Sequence, residues 1–393
     1  MGRVPQFRIT NSFPANTQSV FSWYQFSIDG WDPLSAKRFE KALQNIPEKI
    51  GVRVIQKKRI YSVVWTLEKN TFPKMISHLR KNVRIDSHLI GEMQNGFQCY
   101  QRSITNKKRS THPIVSLFQH RTCVMGILNV TTDSFSDGGL YRDKAKALEH
   151  ALQMQCEGAH IIDVGAESSR PGARPISADE EKKRLFPIIR ILVRKLRIPV
   201  SIDTYKASVA EAMIQEGASM INDISAFGLD PAMPLVLARL KTPVLLMHMK
   251  GNPRTMQQKP RYENLIAEIT RFFKMRIQKA KEAGISEDKI FLDPGFGFGK
   301  THVHNIQIIQ RLQELSIFGR PIILGPSRKS TLGAILGGAP VSERQEATLA
   351  AIVAAVLSGA HGVRVHDVRS AVRAVKMADA IRYTRFAKEL AHD

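Results

Sequence analysis

The apolar positions fall into two patterns that meet near residue 120. In residues 1–120, strand-like runs alternate with helical ones. Residues 19–28 read as a strand. Asp32-Pro33 opens a helix that places Phe39, Leu43 and Ile46 on one face, with proline at its first position. Residues 52–56 and 60–67 read as strands rich in β-branched and aromatic side chains. Residues 72–79 read as a second helix and 83–90 as a further strand. The order β-α-β-β-α-β predicts a small α+β domain of ferredoxin-like type over residues 1–105. Residues 106–120, which continue the polar, basic run Arg102-Ser-Ile-Thr-Asn-Lys-Lys-Arg-Ser-Thr111, are assigned to an exposed linker.

Residues 121–393 alternate short apolar runs with amphipathic stretches. Eight runs read as strands: 123–129, 160–164, 199–203, 220–223, 244–248, 290–293, 322–325 and 362–365. Helical patterns such as 265–281, 347–357 and 371–390 fall between and after them. Repeated βα units predict a parallel sheet, and eight of them predict a (β/α)8 barrel. An open doubly wound sheet fits the same alternation.

Composition narrows the class. Hydrophobic residues make up 43% of the 393 and charged residues 24%, which excludes a disordered or collagen-like chain. No run approaches the roughly 18 apolar residues of a membrane span, so a soluble, cytoplasmic protein without a membrane partner is expected. Cys99, Cys123 and Cys156 form no CxxC pair, which argues against a disulfide framework or a zinc site on paired cysteines and for a reducing compartment. The first 28 residues carry Arg3 and Arg8 and no acid before Asp29; they read as a plain basic N-terminus, more than as an organelle transit peptide. Gln6 stands where a myristoylation signal needs Ser or Thr.

Charge adds a question. Lys and Arg number 58 against 35 Asp and Glu, a formal +23. Such an excess points to nucleic acid, a membrane surface or anionic small substrates. Residues 1–120 hold 19 basic and 7 acidic residues, net +12; the remainder holds 39 and 28, net +11. The smaller part is the denser in charge. It contains no RNP motif or zinc-finger spacing, so nucleic acid is not the expected partner. Lys57-Lys58-Arg59 reads as a solvated hairpin tip first and a phosphate contact second.

The candidate chemistry sits after the strands. Asn129, Asp163 and Glu167, Asp203, Asn222 and Asp223, His248, Asp293, Lys329 and His366 lie at or just past carboxyl ends, the rim where barrel enzymes build active sites. One polar strand end is ordinarily a helix cap; a full set points to a shared mouth. Asp203 and Asp293 close apolar runs, and a carboxylate at that depth needs a donor. That donor is either a barrel Lys or Arg or the N–H groups of a ligand. With Asn222, they suit a flat heterocycle with a lactam edge. Arg328, Arg364 and His366 are placed to hold an anion. Gly325-Pro-Ser-Arg-Lys-Ser330 lacks Walker glycine spacing. Loops 131–139 and 167–173 suit closure over a ligand, and the loop 293–300 carries the aromatic plates Phe296 and Phe298.

These residues fall in blocks: Met125-Gly-Ile-Leu-Asn-Val130, Asp133-Ser-Phe-Ser-Asp-Gly-Gly139, Glu167-Ser-Ser-Arg-Pro-Gly-Ala173, Ser201-Ile-Asp-Thr204, Ile221-Asn-Asp-Ile224, Leu246-Met-His-Met249, Asp293-Pro-Gly-Phe-Gly-Phe-Gly-Lys300, Ser327-Arg-Lys-Ser330 and Arg364-Val-His-Asp367. In their order the second part resembles the dihydropteroate synthase family over roughly residues 121–390. The resemblance implies a (β/α)8 barrel that joins 6-hydroxymethyl-7,8-dihydropterin pyrophosphate to p-aminobenzoate, releasing pyrophosphate. It implies that Asp203, Asn222, Asp293 and Lys329 bind the pterin with Met247 packed on it. It implies that Asn129 helps hold Mg²⁺ with the pyrophosphate, and that Arg364 and His366 bind pyrophosphate oxygens. Ser169, Arg170, Pro171, Phe298 and Ser330 would line the p-aminobenzoate pocket, and Asp133 and Phe135 would belong to the closing first loop. A homodimer and sulfonamide competition are further implications. Thr132 stands where the family usually has Pro, and Ser169 where Thr is common. A pterin-binding barrel that passes a methyl group from methyltetrahydrofolate to a corrinoid would share the Asp and Asn set, but not the Ser327–Ser330 block together with the 169–171 loop. In this pathway synthases are sometimes fused to the pyrophosphokinase that makes their substrate. Residues 1–120 are short for one and show no paired-Asp motif, so a remnant, a dimerisation module or a basic binding domain remain the readings of that part.

Overall fold

The structure is a computed structural model that describes residues 6–11, 23–46, 50–57, 60–68, 71–82, 87–105, 112–118, 121–130, 140–168 and 174–382. The chain forms two compact units. The first comprises Met1–Lys107 together with Arg311–Gly319, and the second Lys108–Gln310 with Arg320–Asp393.

The first unit is built on four antiparallel strands, β1 (Gln6–Asn11), β2 (Trp23–Trp31), β3 (Gly51–Lys57) and β4 (Ile60–Glu68), in the order β1-β2-β4-β3. Between β2 and β3 runs α1 (Pro33–Gln44). Asp32 caps it, its Oδ1 accepting from Leu34 N at 3.0 Å and Ser35 N at 2.9 Å, which satisfies two otherwise orphaned donors. With β4 between β2 and β3, this is the split βαβ unit the pattern predicts. The end of the unit differs from expectation. Residues 87–90 are not strand; they open α3 (Ser87–Thr105), which follows α2 (Phe72–Asn82), and residues 83–86 lie outside the described residues. The buried positions Leu89, Ile90, Met93 and Phe97 recur every three to four residues, a helical period that a short window misses. The fourth strand comes instead from the N-terminus, as β1. Phe26, Phe39, Trp65, Phe72 and Phe97 fill the core, with Phe26 stacked on Trp65 at 5.6 Å and on Phe72 at 5.2 Å.

The second unit is the barrel. Its strands are β5 (Cys123–Asn129), β6 (Ile161–Gly165), β7 (Val200–Asp203), β8 (Met220–Asp223), β9 (Val244–Met247), β10 (Ile290–Asp293), β11 (Ile323–Leu324) and β12 (Gly362–Val365). Helix α4 (Pro113–Ser116) precedes them. Helices α5 (Leu140–Cys156), α6 (Ala178–Lys195), α7 (Ala207–Gln215), α8 (Met233–Arg239), α9 (Leu265–Glu282), α10 (His302–Gln310), α11 (Ser330–Ile335), α12 (Gln345–Leu357) and α13 (Val368–Arg382) follow in turn. All pairings are parallel, in the order β10-β9-β8-β7-β6-β5-β12-β11. A parallel bridge from Leu292 to Ile322 joins the two ends, so the sheet closes into a barrel and is not the open alternative. Helix α13 ends at Arg382 within the described residues, short of the expected 390.

Part of the expected linker is barrel. Residues 113–118 contain α4, and Ile114, Val115 and Phe118 pack against Cys123, Met125, Ile161, Met220, Leu245, Phe291 and Ile323 as a floor. The basic run ends at Arg109; the Pro-Ile-Val-Ser-Leu-Phe sequence after it is apolar enough to bury. Gly362 makes room for this plug, since a Cβ there would stand 2.8 Å from the Phe118 ring. Thr122 then ties α13 to the base of β5, with Oγ1 donating to Asp379 Oδ1 at 2.6 Å and N donating to Oδ2 at 2.8 Å. Among the described residues no helix is long and apolar enough to cross a membrane.

The floor carries a testable expectation. Phe118→Ala should destabilise the barrel by about 3–5 kcal/mol through the cavity it leaves. Urea unfolding followed by far-UV circular dichroism would measure it, and an unchanged midpoint would show that the plug contributes little.

Candidate active site

The mouth follows from strand parity. Side chains two residues apart share a face of a strand. The inward floor residues Ile161, Met220, Leu245 and Phe291 are therefore succeeded, two positions on, by Asp163, Asn222, Met247 and Asp293. Strands β7 and β12 contribute Asp203 and Arg364. An apolar floor thus carries a polar layer directly above it.

That layer is one network. Arg364 Nε donates to Asp163 Oδ2 at 2.6 Å, and Nη2 donates to Asp203 Oδ2 at 2.7 Å. Asn222 Nδ2 donates to the same Asp163 oxygen at 3.0 Å, leaving its amide oxygen open. Burial pushes the Asp203 carboxyl up to about 7; Arg364 pulls against this and Asp163 adds to it. Burial likewise pushes Asp293 up to about 6, opposed by the Gly295 N–H, which donates to Oδ1 at 2.7 Å, and by Lys329. Burial lowers Lys329 to about 8, and Arg364 lowers it further against the pull of Asp293 and Asp203. For Arg364 burial works against the charge, but Asp163 and Asp203 outweigh it and its pKa is raised. Two of its five N–H donors are taken; the others can still meet a ligand.

An apolar cluster adjoins this layer. Met247 packs with Ile224, Met256 and Phe298, and Lys329 Nζ lies 4.1 Å from the centre of the Phe298 ring, a cation–π contact. Phe298 is carried by the 293–300 loop, whose shape depends on glycine. Gly295 and Gly299 have φ of +71° and +64°, and a Cβ would stand 1.9 Å from the His248 carbonyl oxygen and 2.5 Å from that of Lys250. Lys300 closes the loop from inside. Its Nζ lies 2.9 Å from His248 Nδ1 and donates to the Phe298 carbonyl at 2.9 Å. Burial lowers the Lys300 pKa to about 7. A protonated Lys300 can only donate, which makes His248 Nδ1 the acceptor and places the ring proton on Nε2. A second cation, the partly buried Lys206, is held by Glu167 and Glu181, and Tyr205 Oη donates to Glu167 at 2.9 Å. This fixes the root of loop 167–173.

At the upper rim a cavity of about 290 Å³ lies over the ends of β5 and β12. Asn129, Arg328 and His366 line it together with Lys146 and His150 of α5. His366 Nδ1 and Ser327 Oγ are 3.0 Å apart.

The residues read from sequence therefore separate into three groups. Asp203, Asn222, Asp293, Lys329 and Arg364 meet in the polar layer, Met247 and Phe298 in the apolar cluster, and Asn129 and His366 at the rim. Ser330 opens α11, next to Lys329. Asp133, Phe135, Ser169, Arg170 and Pro171, and Thr132 beside them, lie outside the described residues. Sequence places Asp163 among the strand-end groups of the mouth without a role of its own, and its position two residues past the floor residue Ile161 marks it as inward. Asp223 is a loop brace, accepting from Ser225 N and Phe227 N at 2.8 and 2.7 Å. Nothing in the sequence distinguishes Lys300 or Lys206 from surface lysines; only burial does.

Comparison with known proteins agrees with this geometry. Residues 125–366 match the pterin binding enzyme family. The dihydropteroate synthase of Synechocystis sp. is 46% identical over 261 residues, 66% of this chain and 90% of its own. That of Escherichia coli is 45% identical over 266 residues, 68% and 93% of the two chains. The Yersinia pestis dihydropteroate synthase solved with a sulfonamide drug superposes with a TM-score of 0.63 at 44% identity, covering 67% of this chain and 94% of its own. The Xanthomonas albilineans enzyme in complex with 7,8-dihydropteroate gives 0.59 at 36% identity, covering 67% and 93%. The chain belongs to the pterin-binding enzymes and, within them, to the dihydropteroate synthases, transferases of folate synthesis.

Proposed function

We propose that the three groups of residues divide the labour of joining 6-hydroxymethyl-7,8-dihydropterin pyrophosphate to p-aminobenzoate. The observation that carries this reading is the pairing of Arg364 with Asp163 and Asp203 beside Asn222, Asp293 and Lys329. Asp203 and Asp293 accept the N–H groups of the pterin edge, the free oxygen of Asn222 accepts another, and Met247 packs on the ring. Arg364 keeps Asp203 oriented and favours its charged form. Ligands carried by the relatives, a sulfonamide and 7,8-dihydropteroate, support the pterin and p-aminobenzoate assignments.

The bond that breaks is the C–O bond between the pterin methylene and the pyrophosphate, with its electron pair leaving on oxygen. The positive charge that develops on the methylene and pterin faces Asp203 and Asp293. The amine of p-aminobenzoate, seated by Phe298 and Ser330 with Ser169, Arg170 and Pro171, then forms the C–N bond and releases its proton to water. Loop residues Asp133 and Phe135 close over the site. Asn129 offers one amide oxygen at an exposed strand end beside the rim cations. No group of three or more metal-binding side chains gathers among the described residues. That donor set fits Mg²⁺ arriving with the pyrophosphate oxygens, since Mg²⁺ keeps waters and leans on substrate phosphates. When bound it would neutralise charge on the leaving group. A homodimer and a cytoplasmic location are proposed on the resemblance and on the bacterial relatives.

The test is direct. The purified chain with Mg²⁺ should form dihydropteroate and pyrophosphate in equal amounts, and Asp203→Asn or Asp293→Asn should each lower kcat/KM by about tenfold to a hundredfold. Stable folding with no product from the wild-type chain would refute the reading. Sulfamethoxazole should raise the KM for p-aminobenzoate without lowering kcat; turnover unaffected at high excess would remove the sulfonamide assignment.

The pKa shifts give a pH profile with a definite sign. Asp203 and Asp293 must lose protons to accept from the pterin, so kcat/KM should rise as pH passes through about 6 to 7. Lys329 loses its charge above about 8, so the rate should fall again there. Lys329→Arg should move the alkaline limb upward and leave the acid limb in place; a flat profile between 5 and 9 would contradict it.

A further inference from the structure

Two substrate contacts of the proposed reaction come from different elements. Phe298 belongs to the 293–300 loop, while Ser330 opens α11 beside Lys329. The loop and the helix lie in contact. A Cβ on Gly297 would stand 3.1 Å from Lys329 Cδ, so the Lys329 stem runs along the loop before its Nζ reaches the Phe298 ring. Several ties hold the loop to the chain that follows β9. Lys300 holds the Phe298 carbonyl and meets His248, Tyr262 Oη donates to the Gly299 carbonyl at 2.8 Å, and Gln257 Nε2 donates to that of Gly297. A further tie leads to α11.

That tie runs through Asn305 of α10. Gly297 N donates to Asn305 Oδ1 at 2.8 Å, and Asn305 Nδ2 donates to Thr331 Oγ1 at 2.8 Å. Asn305 and Thr331, the second residue of α11, are each only 1% exposed. A backbone N–H can only donate, so the amide has one orientation, with its oxygen on the loop and its nitrogen on the helix. Thr331 Oγ1 then accepts from Asn305 and has its own proton for His302 Nδ1, 3.1 Å away. Out of water, a lost member would leave a polar group without a partner. The bridge therefore holds the loop and the helix at one spacing.

We propose that Asn305 and Thr331 are positioning residues for p-aminobenzoate, which set the spacing between Phe298 on the loop and Ser330 on α11. The proposal rests on the synthase reading, which makes Phe298 and Ser330 contacts of that substrate. Both residues act through those contacts. A flat, rigid acceptor has little means of following a pocket whose walls drift apart, and a misplacement of about 1 Å can cost a reaction as much as ~100-fold. The pterin depends on the bridge less, because Asp203, Asn222 and Asp293 sit on strands of the barrel.

Two substitutions of Thr331 in the full chain separate the bridge from simple packing. Thr331→Val keeps the shape and loses the hydroxyl; Thr331→Ser loses a methyl and keeps the hydroxyl. Thr331→Val should raise the KM for p-aminobenzoate about tenfold, the scale of one buried group left unpaired, and the conservative Thr331→Ser about twofold at most. The KM for the pterin pyrophosphate should change by less than about threefold in either variant, because its strand contacts stay in place. Hydrogen exchange read by mass spectrometry on the peptide carrying Gly297 and Phe298 should quicken in Thr331→Val and not in Thr331→Ser, with or without turnover. A packing role predicts the reverse order, with Thr331→Ser the worse variant, and that result would overturn the proposal. So would a folded Thr331→Val that leaves the KM for p-aminobenzoate unchanged, or that raises both KM values alike. Exchange in the expected order from a chain whose wild type makes no dihydropteroate would uphold the bridge between loop and helix and sink the synthase reading instead.

Discussion

Everything at the mouth depends on keeping charges that have been taken out of water in mutual contact. A barrel of eight strands has an inward face that changes character every second residue. Its lower positions must be apolar to close on the plug at Phe118, and the next positions up are polar. Asp163, Asp203 and Arg364 are stable there only as a set. Removing one member leaves a partner charged and unsatisfied, at a cost of roughly 3–5 kcal/mol. The same desolvation that makes the set expensive raises Asp203 and Asp293 and lowers Lys329. It thereby brings their titration into the range where they can respond to a ligand.

The barrel was legible because buried parallel strands write short apolar runs, and because a polar residue closing such a run is conspicuous. Strand ends at Asn129, Asp223, Asp293 and Val365 fall where the pattern puts them. Asp203, Asn222, Asp293, Lys329 and Arg364 were legible as strand-end groups for the same reason. What escaped was partnership. Sequence placed Arg364 with an anion, and the fold shows it between two carboxylates, a relation between positions some 160 and 200 residues apart. Lys300 and Lys206 escaped because a buried or partly buried lysine has the same sequence signature as an exposed one.

The first unit was harder to read for a different reason. Its helix α3 begins with residues that also suit a strand, and the edge strand β1 comes from a stretch where Gln6–Asn11 alternate too briefly to stand out. The split βαβ centre was recovered because Asp32-Pro33 marks a helix start whatever surrounds it. The charge excess that opened the question of anionic partners is answered in the barrel by a few rim cations, while the +12 of residues 1–120 is not used by the proposed chemistry.

The composition of the first unit bears on how the chain is made. Its apolar core takes in Ile317, from the segment Arg311–Gly319 that lies between α10 and β11 in the chain. The first unit, made before the barrel, therefore lacks a piece of itself until six of the eight barrel strands have been synthesised. Its final packing waits on a distant segment, a loop closure whose entropic cost a purely local domain would not meet. A fragment cut at residue 107 would lack that piece permanently, so the order of synthesis makes this appendage a late-maturing partner of the enzyme it precedes.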